Sequence, residues 1–143
     1  MRQANHFDRK EIIKMMVEFR DSADFVEISA ATNTTNVNRL LDQIFAGAGA
    51  IFYEPDKGLL ASLIAPSIWD HEVLILHEIA WYVRPQYRGS RIGFKLFKAY
   101  LEYGKELKNS GRIQYFTMTK LDSSPDFKYA RYGFRVKDIN WIQ

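Results

Sequence analysis

The segment Val83-Arg84-Pro85-Gln86-Tyr87-Arg88-Gly89-Ser90-Arg91-Ile92-Gly93 gathers two glycines, a serine and three arginines behind a long apolar run. An amphipathic stretch follows at once, so the segment reads as a strand–turn–helix junction. The first backbone N–H groups of a helix lack intrahelical partners, and the helix dipole adds partial positive charge there. Such a place suits a phosphate or pyrophosphate. Gly89 and Gly93 lack a Cβ and let a ligand approach the backbone. Arg88 and Arg91 add charge and forked donors. The competing reading is an ordinary connection with solvated arginines. It is neither of the familiar nucleotide loops, since the Gly-Lys-Ser/Thr ending and the three-glycine fingerprint are both missing.

A second set of candidates lies just upstream. His77 and Glu78 are the ionisable side chains inside the apolar run Val73–Val83. Either is a candidate general base, and either is also readable as a satisfied or edge-facing strand residue. Strict alternation groups His77 with Ile79 and Trp81, and Glu78 with Ala80 and Tyr82. Asp70, His71 and Glu72 are adjacent and cannot converge on one metal ion unaided, so they read as a solvated loop and no metal site is expected. Trp69 and Trp81 read as packing residues. Glu18, Asp21, Asp24 and Glu27 form an acidic stretch that would attract a cationic amine, or that simply solvates a helix end.

The elements that must position these residues follow from periodicity. A short strand is expected at Met1–Ala4. Asp8 and Glu11 have capping-box spacing ahead of a helix Asp8–Asp21, marked by Ile12, Met15, Met16 and Phe19. A second helix is expected over Asn36–Ala46, ended by Gly47. Ala50–Tyr53 and Leu59–Ala65 flank Pro55-Asp56-Lys57-Gly58 and form a hairpin. Val73–Val83 is a central strand. The next helix buries Gly93, Leu96, Phe97, Tyr100, Leu101, Gly104 and Leu107. Ile113–Thr119 is a strand, Ser124 or Pro125 starts a short helix to Tyr132, and Arg135–Ile142 is a last strand or hairpin. The order β-α-α-β-β-β-α-β-α-β predicts one α/β domain over residues 1–143, with a mixed, mostly antiparallel sheet and about four flanking helices.

Composition narrows the function. The chain has 143 residues, 47% of them hydrophobic, and no cysteine, which excludes disulfides, thiolate metal sites and a cysteine nucleophile. No run is apolar for long enough to span a membrane. The N-terminus lacks the apolar core of a signal peptide, so a cytoplasmic location is expected. A net charge of +3 is too small to argue for nucleic acid. The charge is segregated, however: residues 1–70 carry a balance of −3 and residues 71–143 one of +6. An anionic ligand held by the second half would account for that, as would chance.

The run Val83–Gly93 resembles the acetyl-CoA signature of the GNAT N-acetyltransferases, Gln/Arg-x-x-Gly-x-Gly/Ala, with Arg88 in its first position and Gly93 in its last. Tyr129-Ala130-Arg131-Tyr132-Gly133-Phe134 resembles that family's Tyr-x-x-x-Gly-Phe ending. The order of elements is similar over nearly the whole chain. The resemblance implies acetyl-CoA as cosubstrate, held by Tyr82, Val83, Arg88, Gly89, Ser90, Arg91, Ile92 and Gly93. It implies direct attack of a primary amine on the thioester, the acceptor being a small amine, a peptide N-terminus or a protein lysine. Glu78 then ranks first as base and His77 second, and Tyr129 is the proton donor beside the sulfur. A bulge in the central strand is common in the family, so parity leaves open whether His77 or Glu78 faces the thioester. Two departures stand out. Arg91 occupies a position usually held by glycine, and Asp122 replaces an asparagine that helps hold the cofactor. They keep alive a GNAT-fold binding or regulatory module without turnover. Family members also form homodimers, and that is an expectation here too.

Overall fold

The computed structural model describes residues 1–22, 34–121, 124–141 and 143. Asp24, Glu27 and Asp122 lie outside the described residues. Strand β1 (Arg2–Gln3) leads through a 3-10 turn at His6–Asp8 into helix α1 (Arg9–Ser22), and helix α2 (Thr35–Gln43) ends in a wide π-turn at Ile44–Ala48. Strands β2 (Gly49–Glu54), β3 (Gly58–Pro66) and β4 (Leu74–Val83) precede helix α3 (Ile92–Asn109), and β5 (Tyr115–Thr117) follows it. The sheet runs β1-β2-β3-β4-β5 in sequence order. Its pairs are antiparallel except β4–β5, which is parallel because α3 carries the chain back across the sheet.

Each sheet face buries its own apolar set. Ile51, Tyr53, Leu59, Ala61, Ala80 and Tyr82 pack with Ile12 and Met15 of α1 and Leu41 of α2. On the other face Leu60 and Leu76 pack against Leu96, Tyr100 and Leu107 of α3. Each such side chain, fully withdrawn from water, contributes about 1.5–3 kcal/mol before entropy is counted. Gly104 makes the close approach of α3 to β5: a Cβ there would lie 2.6 Å from the ring of Phe116.

Several local expectations change. The N-terminal cap is Asn5, not Asp8: Asn5 Oδ1 accepts the Phe7 N–H, and Asp8 Oδ2 accepts the Asn5 N–H, each at 2.9 Å. Asp8 is therefore the reciprocal partner of a box set three residues earlier. The short helix expected to end at Tyr132 is a 3-10 turn confined to Tyr129–Tyr132. β5 is three residues long instead of seven. Among the described residues, 135–141 form no strand, because they gain no neighbour to hydrogen-bond.

Arg84, unassigned in the sequence, clamps three elements. Its guanidinium pairs with Glu11 at 2.7 Å and Glu18 at 2.9 Å, both on α1, and donates to Asp56 O at 2.9 Å in the β2–β3 turn. These carboxylates raise its pKa, Glu18 most strongly. Glu18 of the acidic stretch is thereby engaged, and Asp21, largely exposed, pairs with its neighbour Arg20 at 3.1 Å.

Candidate active site

The register of β3 and β4 locates the irregularity that sequence parity leaves open. Ala61 pairs with Ala80, yet Ser62 pairs with Glu78, so Ile79 is an extra residue on β4. A bulge of one residue reverses the alternation beyond it. Leu60–Trp81, Ser62–Glu78 and Ile64–Leu76 are the pairs on the α3 face. Leu59–Tyr82, Ala61–Ala80 and Leu63–His77 are those on the α1 face. Glu78 is thus grouped with Trp81 and Val83, not with Ala80 and Tyr82 as strict alternation has it. His77 points to the opposite side of the sheet.

The same place is where two strands part. β4 and β5 pair only over Ile75–Tyr115, Leu76–Phe116 and His77–Thr117. Two residues further on, the Thr119 N–H donates to Glu78 Oε2 at 3.0 Å instead of to the strand backbone. Towards the C-terminal end of β4 the edge facing β5 is left open. The Arg84 N–H donates to Lys57 O on the β3 side, so alternation turns the N–H and C=O of Val83 and Trp81 to the open edge. Arg88 Nε donates to Val83 O there at 3.0 Å, and its guanidinium lies 5.9 Å from the Tyr82 ring centroid.

Glu78 is buried, with Thr119 as its only hydrogen-bond donor among the described residues. Burial raises its pKa to about 7, against a smaller lowering by the Thr119 N–H. Such a carboxyl holds and releases a proton near neutrality. Tyr100, reached by sequence only as a buried position on α3, closes the apex of the split. Its hydroxyl donates to Thr117 O at 2.5 Å and lies 3.4 Å from Leu76 O. A buried tyrosine needs a partner for its hydroxyl, and that is the signal in the sequence that points to such a role.

Tyr129 stands near this pair. Burial and the Glu78 carboxylate, in that order, raise its hydroxyl pKa to about 12. Its ring meets Phe97 edge-on at 5.7 Å. Among the described residues its hydroxyl has no hydrogen-bond partner. His77 has its pKa lowered, chiefly by burial, and its Nδ1 lies 3.3 Å from Thr117 Oγ1 on the far face. The structure therefore puts Glu78 on the sheet face where Tyr129 packs against Phe97 of α3, and His77 on the other.

At the head of α3 the positive φ falls on Gly89, at +80°, with nothing within 4 Å of where a Cβ would stand. Arg91, where a glycine was the expected residue, has φ −76° and ψ −4° and is an ordinary helix start. Ser90 Oγ donates to Tyr87 O at 2.5 Å and faces the Ile92 N–H at 3.4 Å. The N–H groups of Gly93 and Phe94 belong to the first turn and have no intrahelical acceptor. Gly89, Ser90 and Arg91 are exposed, and Ile92 and Gly93 at the start of α3 are half-buried. Tyr82, one of the expected cofactor residues, turns its side chain to the α1 face, towards Phe19 and Glu18. Two depressions are formed by described residues, one of them reaching the cradle at Arg91. One, of about 410 Å³, sits over Phe94, Lys95 and Lys98 outside α3, and the other, of about 210 Å³, lies beside β1. No described helix is long and apolar enough to cross a membrane.

Residues 13–134 match the family model described as the acetyltransferase (GNAT) family. No curated protein sequence matches significantly. Solved structures align over nearly the full length. A protein from Clostridium difficile 630 described as a possible acetyltransferase is 15% identical, with a TM-score of 0.67 over 99% of this chain and 93% of that one. A protein described as a transcriptional regulator from Bacillus halodurans C-125 is 14% identical, with a TM-score of 0.67 over 99% and 96%. AAC(6')-Iy, in complex with a bisubstrate analogue built on CoA and acetylneamine, is 14% identical, with a TM-score of 0.65 over 99% and 95%. At such identities the likeness concerns the fold.

Proposed function

The chain belongs to the acetyltransferase (GNAT) family, and from that premise we propose that it moves an acetyl group from acetyl-CoA to a primary amine by direct attack. The observation that carries the reading is a buried carboxyl with pKa about 7 where β4 and β5 part, on the sheet face where the Tyr129 ring packs against Phe97 of α3. The local structure fits the cofactor. Gly89 leaves open space, the first turn of α3 offers unpaired N–H groups, and Arg88 and Arg91 flank them. Bound acetyl-CoA supplies the electrophile, a thioester carbonyl carbon.

The chain's own residues do the rest. The N–H groups of Gly93 and Phe94 and the flanking arginines would hold the diphosphate. Backbone N–H groups on the open edge of β4 receive the carbonyl oxygen. Glu78, ionised above pH 7, takes the proton from the incoming ammonium through Oε1 or an intervening water. Tyr129, whose pKa near 12 keeps it protonated, donates its Oη proton to the departing sulfur. His77 takes no part, because the sheet separates it from this face. A turnover-free module loses one of its two supports, since Arg91 is unstrained at the helix start. The acceptor is a small amine, a peptide N-terminus or a protein lysine, and the reaction runs in the cytoplasm.

The test is thiol release from acetyl-CoA in the presence of a panel of primary amines. Amine-dependent release, rising with pH through about 7 and lost in Glu78→Gln, is expected. Amine-independent release, or none with any acceptor, would remove the reading.

A further inference from the structure

We infer that Phe127 sets cofactor affinity by occupying the cradle before the cofactor arrives. This rests on the reading that acetyl-CoA binds at the head of α3. The ring of Phe127 lies between that helix and β4. Its Cζ is 3.8 Å from where a Cβ on Gly93 would stand, and Val83 Cγ2 and Trp81 Cζ2 are at 3.8 and 4.0 Å from the same point. Its centroid is 5.0 Å from that of Trp81, and it stacks at 6.4 Å on Phe94 and 6.3 Å on Phe97. Gly93 lies in the first turn of α3, and the ring packs at van der Waals distance on the side of that glycine that faces β4.

The segment bearing the ring is held by few local bonds. Asp126 Oδ1 accepts the Lys128 N–H at 2.8 Å, and Lys128 has a positive φ of 55° without being glycine. Such a conformation is costly for a residue with a Cβ and persists only where its surroundings demand it. Pro125, Asp126 and Lys128 are exposed, so the aromatic contacts of Phe127 are what draw this strained turn inward. Tyr129 follows two residues later and starts the 3-10 turn, so displacement of Phe127 also moves the residue assigned as proton donor. A ligand that must first evict the ring binds with its intrinsic affinity reduced by the fraction of molecules in the open state.

The experiment compares the full chain with Phe127→Ala and Phe127→Trp. In the parent and Phe127→Ala, Trp69→Phe and Trp141→Phe leave Trp81 as the single tryptophan, both removed residues being almost fully exposed; Phe127→Trp, which adds a tryptophan, is titrated by calorimetry instead. Titration with acetyl-CoA, followed by Trp81 emission in the first two and by heat in the third, should give an affinity about five- to tenfold tighter in Phe127→Ala and weaker in Phe127→Trp. Circular dichroism verifies that each variant is folded. Weaker or unchanged affinity in folded Phe127→Ala would overturn the inference and make the ring a wall of the site or a bystander. Absence of binding in all three, verified by calorimetry, would remove the cofactor reading itself and the inference with it.

Discussion

Replacing Glu78 by Gln isolates the one carboxyl that, among the described residues, the fold holds away from water on the α3 face. Burial raises its pKa from 4.5 to about 7 in the folded chain. The folded state therefore binds the proton more tightly than the unfolded state. Its contribution is fully present below pH 4.5 and is lost as pH rises through the folded value, after which the deficit stays constant. Linkage over 2.5 units gives a full loss of about 3.4 kcal/mol, of which about 2.5 kcal/mol falls between pH 5 and pH 8. Gln keeps the shape and still accepts the Thr119 N–H, but does not titrate. Urea unfolding of both proteins at pH 5, 6, 7 and 8 should show the parent losing about 2.5 kcal/mol relative to Glu78→Gln across that range. Parallel curves would refute the reasoning, because Glu78 would then titrate alike in both states. The same ionisation governs the proposed base, so the activity of the parent should rise over the interval in which its relative stability falls.

Other changes probe separate links. Tyr129→Phe should lower kcat by about a hundredfold with acetyl-CoA affinity nearly unchanged, and the parent should show no alkaline fall attributable to this residue below about pH 11. Arg84→Ala leaves two half-buried carboxylates of α1 without their partner and should cost about 2 kcal/mol by denaturant unfolding; Arg84→Lys should recover only part, because it loses the forked geometry. Gly104→Ala drives a Cβ into the Phe116 ring and should cost about 1–3 kcal/mol, measurable as a lowered Tm.

The sequence was legible wherever a periodic apolar pattern met a real partner. α1, α2 and α3 present stripes that the two sheet faces bury, and the β2–β3 hairpin is announced by Pro55-Asp56-Lys57-Gly58. The junction of β4 with α3 was legible too, because Pro85, Gly89 and the amphipathic run from Ile92 mark a turn and a helix start. What stayed hidden depends on tertiary contacts. Nothing in Glu78-Ile79-Ala80 marks a bulge: there is no glycine or proline, and the register slips only against β3. The turn Tyr129–Tyr132 is held by rings from α3, so its length could not be read from its own four residues. Arg135–Ile142 has strand-forming composition, yet a strand needs a neighbour, and Val136, Ile139 and Trp141 remain exposed. The positive φ fell on Gly89, two residues before the arginine that first drew attention.

Calorimetric titration with acetyl-CoA, on the parent and on Gly89→Trp, tests the central claim most directly. At φ +80° a tryptophan adds about 1–2 kcal/mol of backbone strain and sets its indole in the open space of the cradle. One saturable site in the parent, lost or weakened at least about tenfold in the folded variant, is the expected result. No heat in the parent at millimolar ligand, or equal affinity in the two proteins, would contradict the assignment of the cofactor to Arg88–Gly93.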